Sequence, residues 1–186
     1  MDTNLRRIAV FVIVFALLFT FGVAGYAADI PKLKMPLLIT SLGQAPDANT
    51  GATLAKRSKV PAEFIALAKA ADVAKFKSMI VTVGTSLKGF GAAGVNLDTE
   101  TARARELAKA AKEKGVYVIL AHIGGDGRRD SMTNLLLNEF APQADAFIVY
   151  KEGNKDGFFD KAAGKKPLVL LPKAIEIGNT LKGLTE

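Results

Sequence analysis

Short apolar runs alternate with helix-forming segments along most of this chain, and this alternation limits the possible folds more than any other feature. Strands that alternate with helices are joined by right-handed crossovers and form a parallel sheet. Five runs have the leucine-rich and β-branched composition of strands buried on both faces, namely Met35–Thr40, Ser78–Val83, Val116–Leu120, Ala146–Tyr150 and Pro167–Leu171. The pattern therefore predicts an α/β fold, a single three-layer domain with a mainly parallel sheet of five or six strands.

The intervening segments begin at polar residues that can cap a helix and end at helix breakers. The longest helices are expected over residues 50–59, 99–114 and 131–140, with a short helix near the carboxyl end. Two interpretations fit Ala62–Ala70, a short edge strand or the start of another helix. Pro61 breaks the preceding helix and favours the strand. With a strand there, the sheet takes the flavodoxin-like order 2-1-3-4-5, and otherwise a related Rossmann-like order.

Four glycine-bearing segments follow predicted strands. They contain 10 of the 17 glycines and the only histidine, and they are Gly43–Asn49, Gly84–Gly94, His122–Asp130 and Lys151–Gly157. In a parallel sheet, the loops at the carboxyl ends of the strands line one crevice. We therefore expect a site at this edge, with the loops over 41–49 and 85–98 diverging around the crevice.

The amino terminus has the three parts of a secretory signal peptide. Arg6 and Arg7 precede the apolar run Ile8–Ala24, and Gly25 and Ala27 fit the small-residue positions of a cleavage site. Cleavage after Ala27 would leave a single domain over residues 28–186. An uncleaved anchor is the alternative, because the run approaches the ~20 residues that span a bilayer. Both interpretations predict that the remaining chain lies outside the cytoplasm, in the periplasm or the extracellular space.

The composition of residues 28–186 excludes several classes of protein function. The chain has no cysteine, which excludes thiol catalysis, cysteine metal sites and disulfides. Basic residues outnumber acidic ones, 23 to 17, but they are spread over helices without interleaved aromatics. Nucleic acid is therefore not expected as a partner, whereas attraction of small anions fits the charge.

Residues 89–94, GFGAAG, match the dinucleotide-binding pattern GxGxxG and follow a strand. In that motif the glycines open a helix, and an acidic residue follows about 20 positions later. Here the helix is expected to begin only near Asp98, and no acid follows at the required spacing. We therefore expect a close-packed turn in which backbone N–H groups, with Lys88 beside them, can receive a carboxylate or phosphate.

Glu152, Asn154, Asp156 and Gly157 copy the first half of a calcium-binding loop. The twelfth position of such a loop supplies a bidentate acid, but Ala163 stands there in this chain. Nearby lysines add unfavourable charge. We therefore predict neither a metal nor any other cofactor.

His122 follows a strand and lies near Asp126, which makes it a candidate general base. None of the nearby serines lies in the GxSxG turn that exposes a nucleophile. Catalysis therefore stays open and is not favoured. Arg128 and Arg129 precede a helix and suit carboxylates or phosphates, unless the flanking aspartates neutralise them.

Taken together, the four loops resemble a known family. The segments, in this order and spacing, are ITSLGQAPD, VTVGTSLKGFGAAG, HIGGDGRRD and KEGNKDGFF. They resemble those of small exported bacterial proteins that are known only as a domain of unknown function. The resemblance covers about Pro36 to Leu184. It implies an extracytoplasmic α/β domain and assigns no activity.

We expect an exported binding protein for a small polar or anionic metabolite. Backbone amides and basic side chains would hold the anion, and amide side chains would bind its polar groups. The expected ligand-binding residues are Ser41, Gln44, Asp47, Thr85, Ser86, Lys88, His122, Arg128, Arg129, Asn154 and Lys155. Two alternatives remain. One is a hydrolase or isomerase with His122 as general base. The other is an envelope accessory protein whose loop-bearing edge docks a membrane partner, such as a transporter. A large exposed apolar patch around Phe90, Phe158 and Phe159 would favour docking.

Overall fold

The computed structural model describes residues 29–185, which contain one sheet of six parallel strands. The strands are β1 (Leu37–Leu42), β2 (Ala62–Phe64), β3 (Ser78–Val83), β4 (Tyr117–His122), β5 (Ala146–Tyr150) and β6 (Leu168–Leu171). They lie in the order β2-β1-β3-β4-β5-β6, which confirms the predicted parallel α/β fold. The ambiguous segment after Pro61 does form an edge strand, β2. The predicted signal peptide, residues 1–27, lies outside the described residues.

The helices cover both faces of the sheet. They are α1 (Asp47–Arg57), α2 (Ala70–Val73), α3 (Leu87–Ala93), α4 (Leu97–Lys114), α5 (Ser131–Phe140), α6 (Phe158–Ala163) and α7 (Ile177–Thr185). The prediction for the start of α4 was wrong by a few residues. Asn96 caps this helix, because its Oδ1 accepts a hydrogen bond from the Thr99 backbone N–H at 2.9 Å. None of the helices in residues 29–185 has the length and hydropathy to cross a membrane.

The GFGAAG segment does not form the expected turn. It lies in the short helix α3, which begins after Ser86 and ends at Gly94. The Ser86 Oγ accepts a hydrogen bond from the Gly89 N–H at 3.1 Å, and the Ser86 carbonyl accepts one from the Phe90 N–H at 2.8 Å. Gly94 has φ +66°, a left-handed conformation that favours glycine at a helix end. The first amide groups of the segment are therefore bonded within the helix.

The core consists of two apolar layers separated by the sheet. Side chains of successive strand residues alternate between the layers, which explains why β1 and β3 are buried along their whole length and consist mostly of apolar residues. One layer packs β3 against α4, α5 and α6 through residues such as Leu107, Phe140 and Phe159. The other layer packs the sheet against α1 and α7 through Ala55 and Leu181.

Helices α1 and α7 approach closely at Gly178. A Cβ atom at this position would lie 2.6 Å from the Leu54 carbonyl oxygen and 2.7 Å from the Ser58 Oγ. By contrast, no atom lies within 4 Å of a Cβ built at Gly183 on the same helix. The spacing of the two helices therefore depends on the absence of a side chain at residue 178.

We expect Gly178→Ala to lower the free energy of unfolding by about 1–3 kcal/mol, because the methyl group forces α1 and α7 apart. Urea denaturation followed by circular dichroism would measure the loss. Gly183→Ala is the matched control and should be neutral or slightly stabilising, because alanine favours helix. Equal stability of the two variants would contradict this account of the helix contact.

Candidate functional site

The four glycine-bearing segments converge at the carboxyl edge of the sheet, as predicted. They follow β1, β3, β4 and β5, which are consecutive parallel neighbours. The carboxyl ends of parallel neighbours share one edge, so the loops that follow them meet there. The side chains that face this edge can therefore be compared directly as candidate binding groups.

The loops after β1 and β3 do not diverge around an open crevice. An antiparallel β-bridge joins Gln44 to Thr85, and the Ala45 N–H donates to the Gly84 carbonyl at 3.0 Å. Gly43 has φ +92°, and a Cβ there would overlap the Gly84 carbonyl. Backbone pairing therefore closes the edge between β1 and β3, contrary to the expected arrangement.

A buried carboxylate from α4 secures the loop after β1. The Glu100 Oε2 accepts hydrogen bonds from the Gly43 N–H at 2.7 Å, the Gln44 Nε2 at 2.9 Å and the Arg103 Nη2 at 2.8 Å. Arg103 also donates to the carbonyl oxygens of Ser41 and Ala68. Burial raises the pKa of Glu100, but these hydrogen bonds and the charge of Arg103 outweigh it and hold the pKa below its ordinary value.

Glu100 was not among the predicted site residues, because a glutamate in the first turn of a helix usually faces solvent. Its spacing to Arg103, three residues along α4, was the available signal. Gln44 was also predicted to bind ligand, and its Nε2 donates to Glu100 in this structure. This cluster positions the loop.

A second polar cluster holds the loop after β3. The Thr85 Oγ1 lies 2.9 Å from the Asp130 Oδ1 and 2.8 Å from the Thr133 Oγ1, and the Thr85 N–H donates to the same Thr133 oxygen at 2.9 Å. Burial raises the pKa of Asp130, but hydrogen bonds from Thr133 and Thr85 outweigh it and lower the pKa. Asp130 and Thr133 were not predicted as site residues, because only the fold brings α5 beside Thr85.

His122 is fully buried beneath the edge. Its Nδ1 lies 2.9 Å from the Val83 carbonyl oxygen, and its Nε2 lies 3.2 Å from the Gly125 carbonyl oxygen. The ring stacks on Phe159 with 5.5 Å between centroids. Burial lowers the pKa of His122 below its ordinary value, although both carbonyls oppose this, so the ring is neutral near pH 7. A neutral imidazole has only one N–H, so it can donate a hydrogen bond to one of these two carbonyl oxygens and not to the other.

The adjacent arginines differ in how their donors are used. The Arg129 side chain is only 9% exposed, and its Nη2 donates to the Asp156 Oδ2 at 2.8 Å. Its Nε donates to the Asn134 Oδ1 at 2.8 Å, and its Nη1 to the Gly153 carbonyl at 2.5 Å. The guanidinium also lies 5.0 Å from the centre of the Phe158 ring. Arg129 therefore organises the loop after β5 and uses four of its five N–H donors within the described chain.

Arg128 remains accessible, with 34% of its side chain exposed. Its Nε lies 3.6 Å from the Asp47 Oδ2, and its Nη1 makes a long contact of 3.4 Å with the Thr85 carbonyl. The Asp47 Oδ2 is buried and accepts no hydrogen bond from residues 29–185. A Cβ at Gly124 would lie 2.5 Å from this oxygen, and one at Gly84 would lie 3.1 Å from it. Glycine backbone therefore makes the space in which the Asp47 carboxylate lies.

The remaining predicted site residues fall into two groups. Asn154 and Lys155 already have partners. The Asn154 amide donates to Asp160 and accepts from the Phe159 N–H, and the Lys155 Nζ lies 3.1 Å from the Glu152 Oε2 and 3.6 Å from the Asp126 Oδ2. Ser41 and Lys88 are unpartnered within the described chain. The Ser41 Oγ is buried with no hydrogen bond, whereas Lys88 is exposed on α3.

The phenylalanines near the carboxyl edge do not form the exposed apolar surface that would favour docking of a partner. The apolar patch is absent from the edge, because Phe90 and Phe159 are buried and Phe158 is partly covered. The most exposed large apolar side chain described is instead Leu87, at 72%. Residues 29–185 contain no group of three or more acidic or histidine side chains placed to hold a metal ion.

Comparisons with known proteins agree with the sequence resemblance. The model of a family described as a domain of unknown function, DUF6305, matches residues 34–185. No curated protein and no solved structure gives a significant match.

We expect Glu100→Gln to lower the free energy of unfolding by about 3 kcal/mol at pH 7, because it leaves the Arg103 charge buried without its partner. The lowered pKa of Glu100 means that the wild-type contribution is present above pH 4.5, the ordinary value, and is lost as pH falls through the folded-state pKa. Urea denaturation between pH 7 and pH 3 should therefore show the two proteins converging in acid. Glu113→Gln, on the exposed side of α4, is the control. A constant difference at all pH values would contradict the ion-pair explanation.

We expect the wild-type protein to lose stability between pH 7.5 and pH 5.5. Because the folded-state pKa of His122 lies below its ordinary value of 6.5, the unfolded chain takes up a proton first as pH falls. His122 is the only histidine, so His122→Asn should flatten the dependence of the urea midpoint on pH over this interval. The same slope in both proteins would rule out His122 as its source.

Proposed function

The chain belongs to the DUF6305 family, a domain of unknown function, and we propose that it is an exported binding protein for a small polar or anionic metabolite. The partly exposed guanidinium of Arg128, which has free N–H donors at the carboxyl edge, carries this proposal. Parallel α/β sheets bind ligands outside the carboxyl ends of their strands, next to the point where strand order reverses. In this sheet that point lies between β1 and β3. Arg128 lies beside the loop that follows β3, within 3.4 Å of Thr85.

The contrast between the two adjacent arginines supports Arg128 as the anion contact. Arg129 has its donors on Asn134, Gly153 and Asp156. Arg128 has only a long contact with a carbonyl oxygen and an ion pair at 3.6 Å, which leaves most of its five N–H donors for a ligand. A guanidinium with free donors binds carboxylate or phosphate through two parallel hydrogen bonds.

Asp47 adds a second requirement on the ligand. Its buried Oδ2 lacks a donor, and a buried acceptor without a partner costs about 1–3 kcal/mol. Its charge also keeps the Arg128 side chain over the edge of the sheet. A ligand that carries a hydroxyl or ammonium group beside its anionic group would satisfy both residues. Small hydroxy acids and amino acids have this arrangement.

Export is part of the same proposal. It is supported by the basic pair Arg6 and Arg7, the apolar run Ile8–Ala24 and the small residues that precede a cleavage point after Ala27. Removal of the first 27 residues would leave the whole of the family-matched segment intact.

The contacts of His122 and the phenylalanines favour binding over the two alternatives. A general base must reach substrate, whereas the ring of His122 is buried with both nitrogens beside backbone carbonyls. An exposed apolar patch would favour docking of a membrane partner, but Phe90 and Phe159 belong to the buried core. Neither alternative therefore gains support from the carboxyl edge.

We expect at least one small hydroxy acid or amino acid to raise the melting temperature of the exported chain. A panel of glycolate, lactate, malate, glycine, serine and phosphate would be screened at equal ionic strength. Saturation to 100 times Kd adds about 2.7 kcal/mol of stability, equivalent to a shift of roughly 5 °C or more for a domain of this size. Mass spectrometry of the purified chain would show whether such a molecule is already bound.

Arg128→Ala should abolish the shift, because it removes the anion contact. Arg105→Ala is the control, since Arg105 lies exposed on α4 in an ion pair with Glu139 and should leave the shift unchanged. The proposal fails if no compound in the panel stabilises the protein, or if the Arg128 variant responds as strongly as the wild type.

A further inference from the structure

A concave surface lies at the amino edge of the sheet, opposite the carboxyl edge. This amino-edge groove has a volume of about 710 Å³, and it runs along the starts of β3 and β4 and the end of α4. Small-molecule sites in proteins span about 300–1,000 Å³. The groove is therefore large enough for a ligand and is separate from the carboxyl edge.

Positively charged side chains greatly outnumber negatively charged ones in the lining of the amino-edge groove. One acidic residue contributes to it, Asp145, whose Oδ2 accepts a hydrogen bond from the Val118 N–H at 2.8 Å. The lysines that line it are Lys32, Lys34, Lys77, Lys112 and Lys166. Such a surface attracts anions and raises their local concentration.

Two of these lysines already have partners. The Lys166 Nζ donates to the carbonyl oxygens of Pro142, at 3.0 Å, and Ala144, at 2.6 Å. The Lys32 Nζ donates to the Gly183 carbonyl at 2.8 Å. Their positive charges remain in the groove, but their ammonium groups are held by backbone.

The other three, Lys34, Lys77 and Lys112, form neither an ion pair nor a side-chain hydrogen bond with any residue from 29 to 185. They come from three separate segments, the lead into β1, the turn before β3 and the last turn of α4. Lys112 also interacts favourably with the carboxyl end of its helix. Lys34 and Lys77 lie outside helices, so a helix dipole does not account for them.

A hydrogen-bond donor accompanies these charges. Tyr117 lines the same groove and is half-buried. Burial raises the pKa of Tyr117, and the charge of Asp145 raises it further, so its hydroxyl stays protonated at neutral pH. The groove thus combines three available ammonium groups with a neutral hydroxyl, which suits an anion of high charge and several oxygens.

We propose that the amino-edge groove binds a phosphate-bearing anion through Lys34, Lys77 and Lys112. Lysine ammonium groups bind phosphate oxygens as point charges, and three of them match a group that carries more than one negative charge. A soluble polyphosphate and an anionic phospholipid headgroup share this chemistry. The inference is independent of the carboxyl-edge site.

The test uses the exported chain with sodium tripolyphosphate and, separately, with vesicles of phosphatidylglycerol or phosphatidylcholine. We expect tripolyphosphate or phosphatidylglycerol vesicles to bind, with an affinity that falls steeply as sodium chloride increases. Binding of tripolyphosphate alone would identify a soluble phosphate as the source of the ligand. Binding of phosphatidylglycerol vesicles alone, without binding to phosphatidylcholine, would identify a lipid headgroup.

The combined variant Lys34→Gln, Lys77→Gln and Lys112→Gln should weaken this binding at least tenfold. The matched control removes the same charge from exposed lysines elsewhere, through Lys56→Gln, Lys161→Gln and Lys173→Gln, and should change affinity less than threefold. The single variant Lys77→Gln should give a partial loss if the combined variant does not fold. Arg128→Ala should leave this binding intact, which separates the two sites.

Three results would overturn the proposed groove. The first is that neither tripolyphosphate nor phosphatidylglycerol vesicles bind. The second is that tripolyphosphate does not bind and the two kinds of vesicle bind equally well. The third is an equal loss of affinity in the combined variant and its control, because that would reflect net charge and not the groove.

Discussion

The buried ion pair between Glu100 and Arg103 is the constraint on which the carboxyl edge depends. Removing two charges from water is costly, and the cost is offset only when nearly every donor and acceptor of the pair is bonded. Here Glu100 binds the loop at Gly43, while Arg103 binds the carbonyl oxygens at Ser41 and Ala68. The pair therefore joins α4 to the end of β1 and fixes the point from which the chain enters α1.

This constraint explains why so few polar groups remain for a ligand. Once the loop after β1 is fixed, it pairs with the loop after β3, and Thr85 is directed toward Asp130 and Thr133. The edge becomes a set of internally bonded loops, with glycines where backbones approach closely. Arg128 and Asp47 are exceptions, since one has free donors and the other has an unfilled acceptor, as are the Ser41 Oγ and the exposed Lys88.

The sequence predicted the fold well because a buried strand can be recognised from the composition of a single short segment. A strand covered on both faces is a nearly continuous apolar run, and β3 and β5 are recognisable for this reason. Helix starts were less predictable, because several polar residues near Asn96 can serve as the cap. The amino-edge lysines gave no local signal at all, since Lys34, Lys77 and Lys112 come from unrelated segments.

The sequence by itself determined the parallel α/β fold and the edge at which its glycine-bearing loops converge. Only the tertiary structure decided which side chains at that edge remain available. Arg128 and Arg129 are adjacent and chemically identical, yet Arg129 is held by Asp156 and stacked on Phe158, while Arg128 remains partly exposed. Hydrogen-bond partners that lie far apart in the chain meet only after folding, so residue type and spacing cannot show whether a polar group is already bonded.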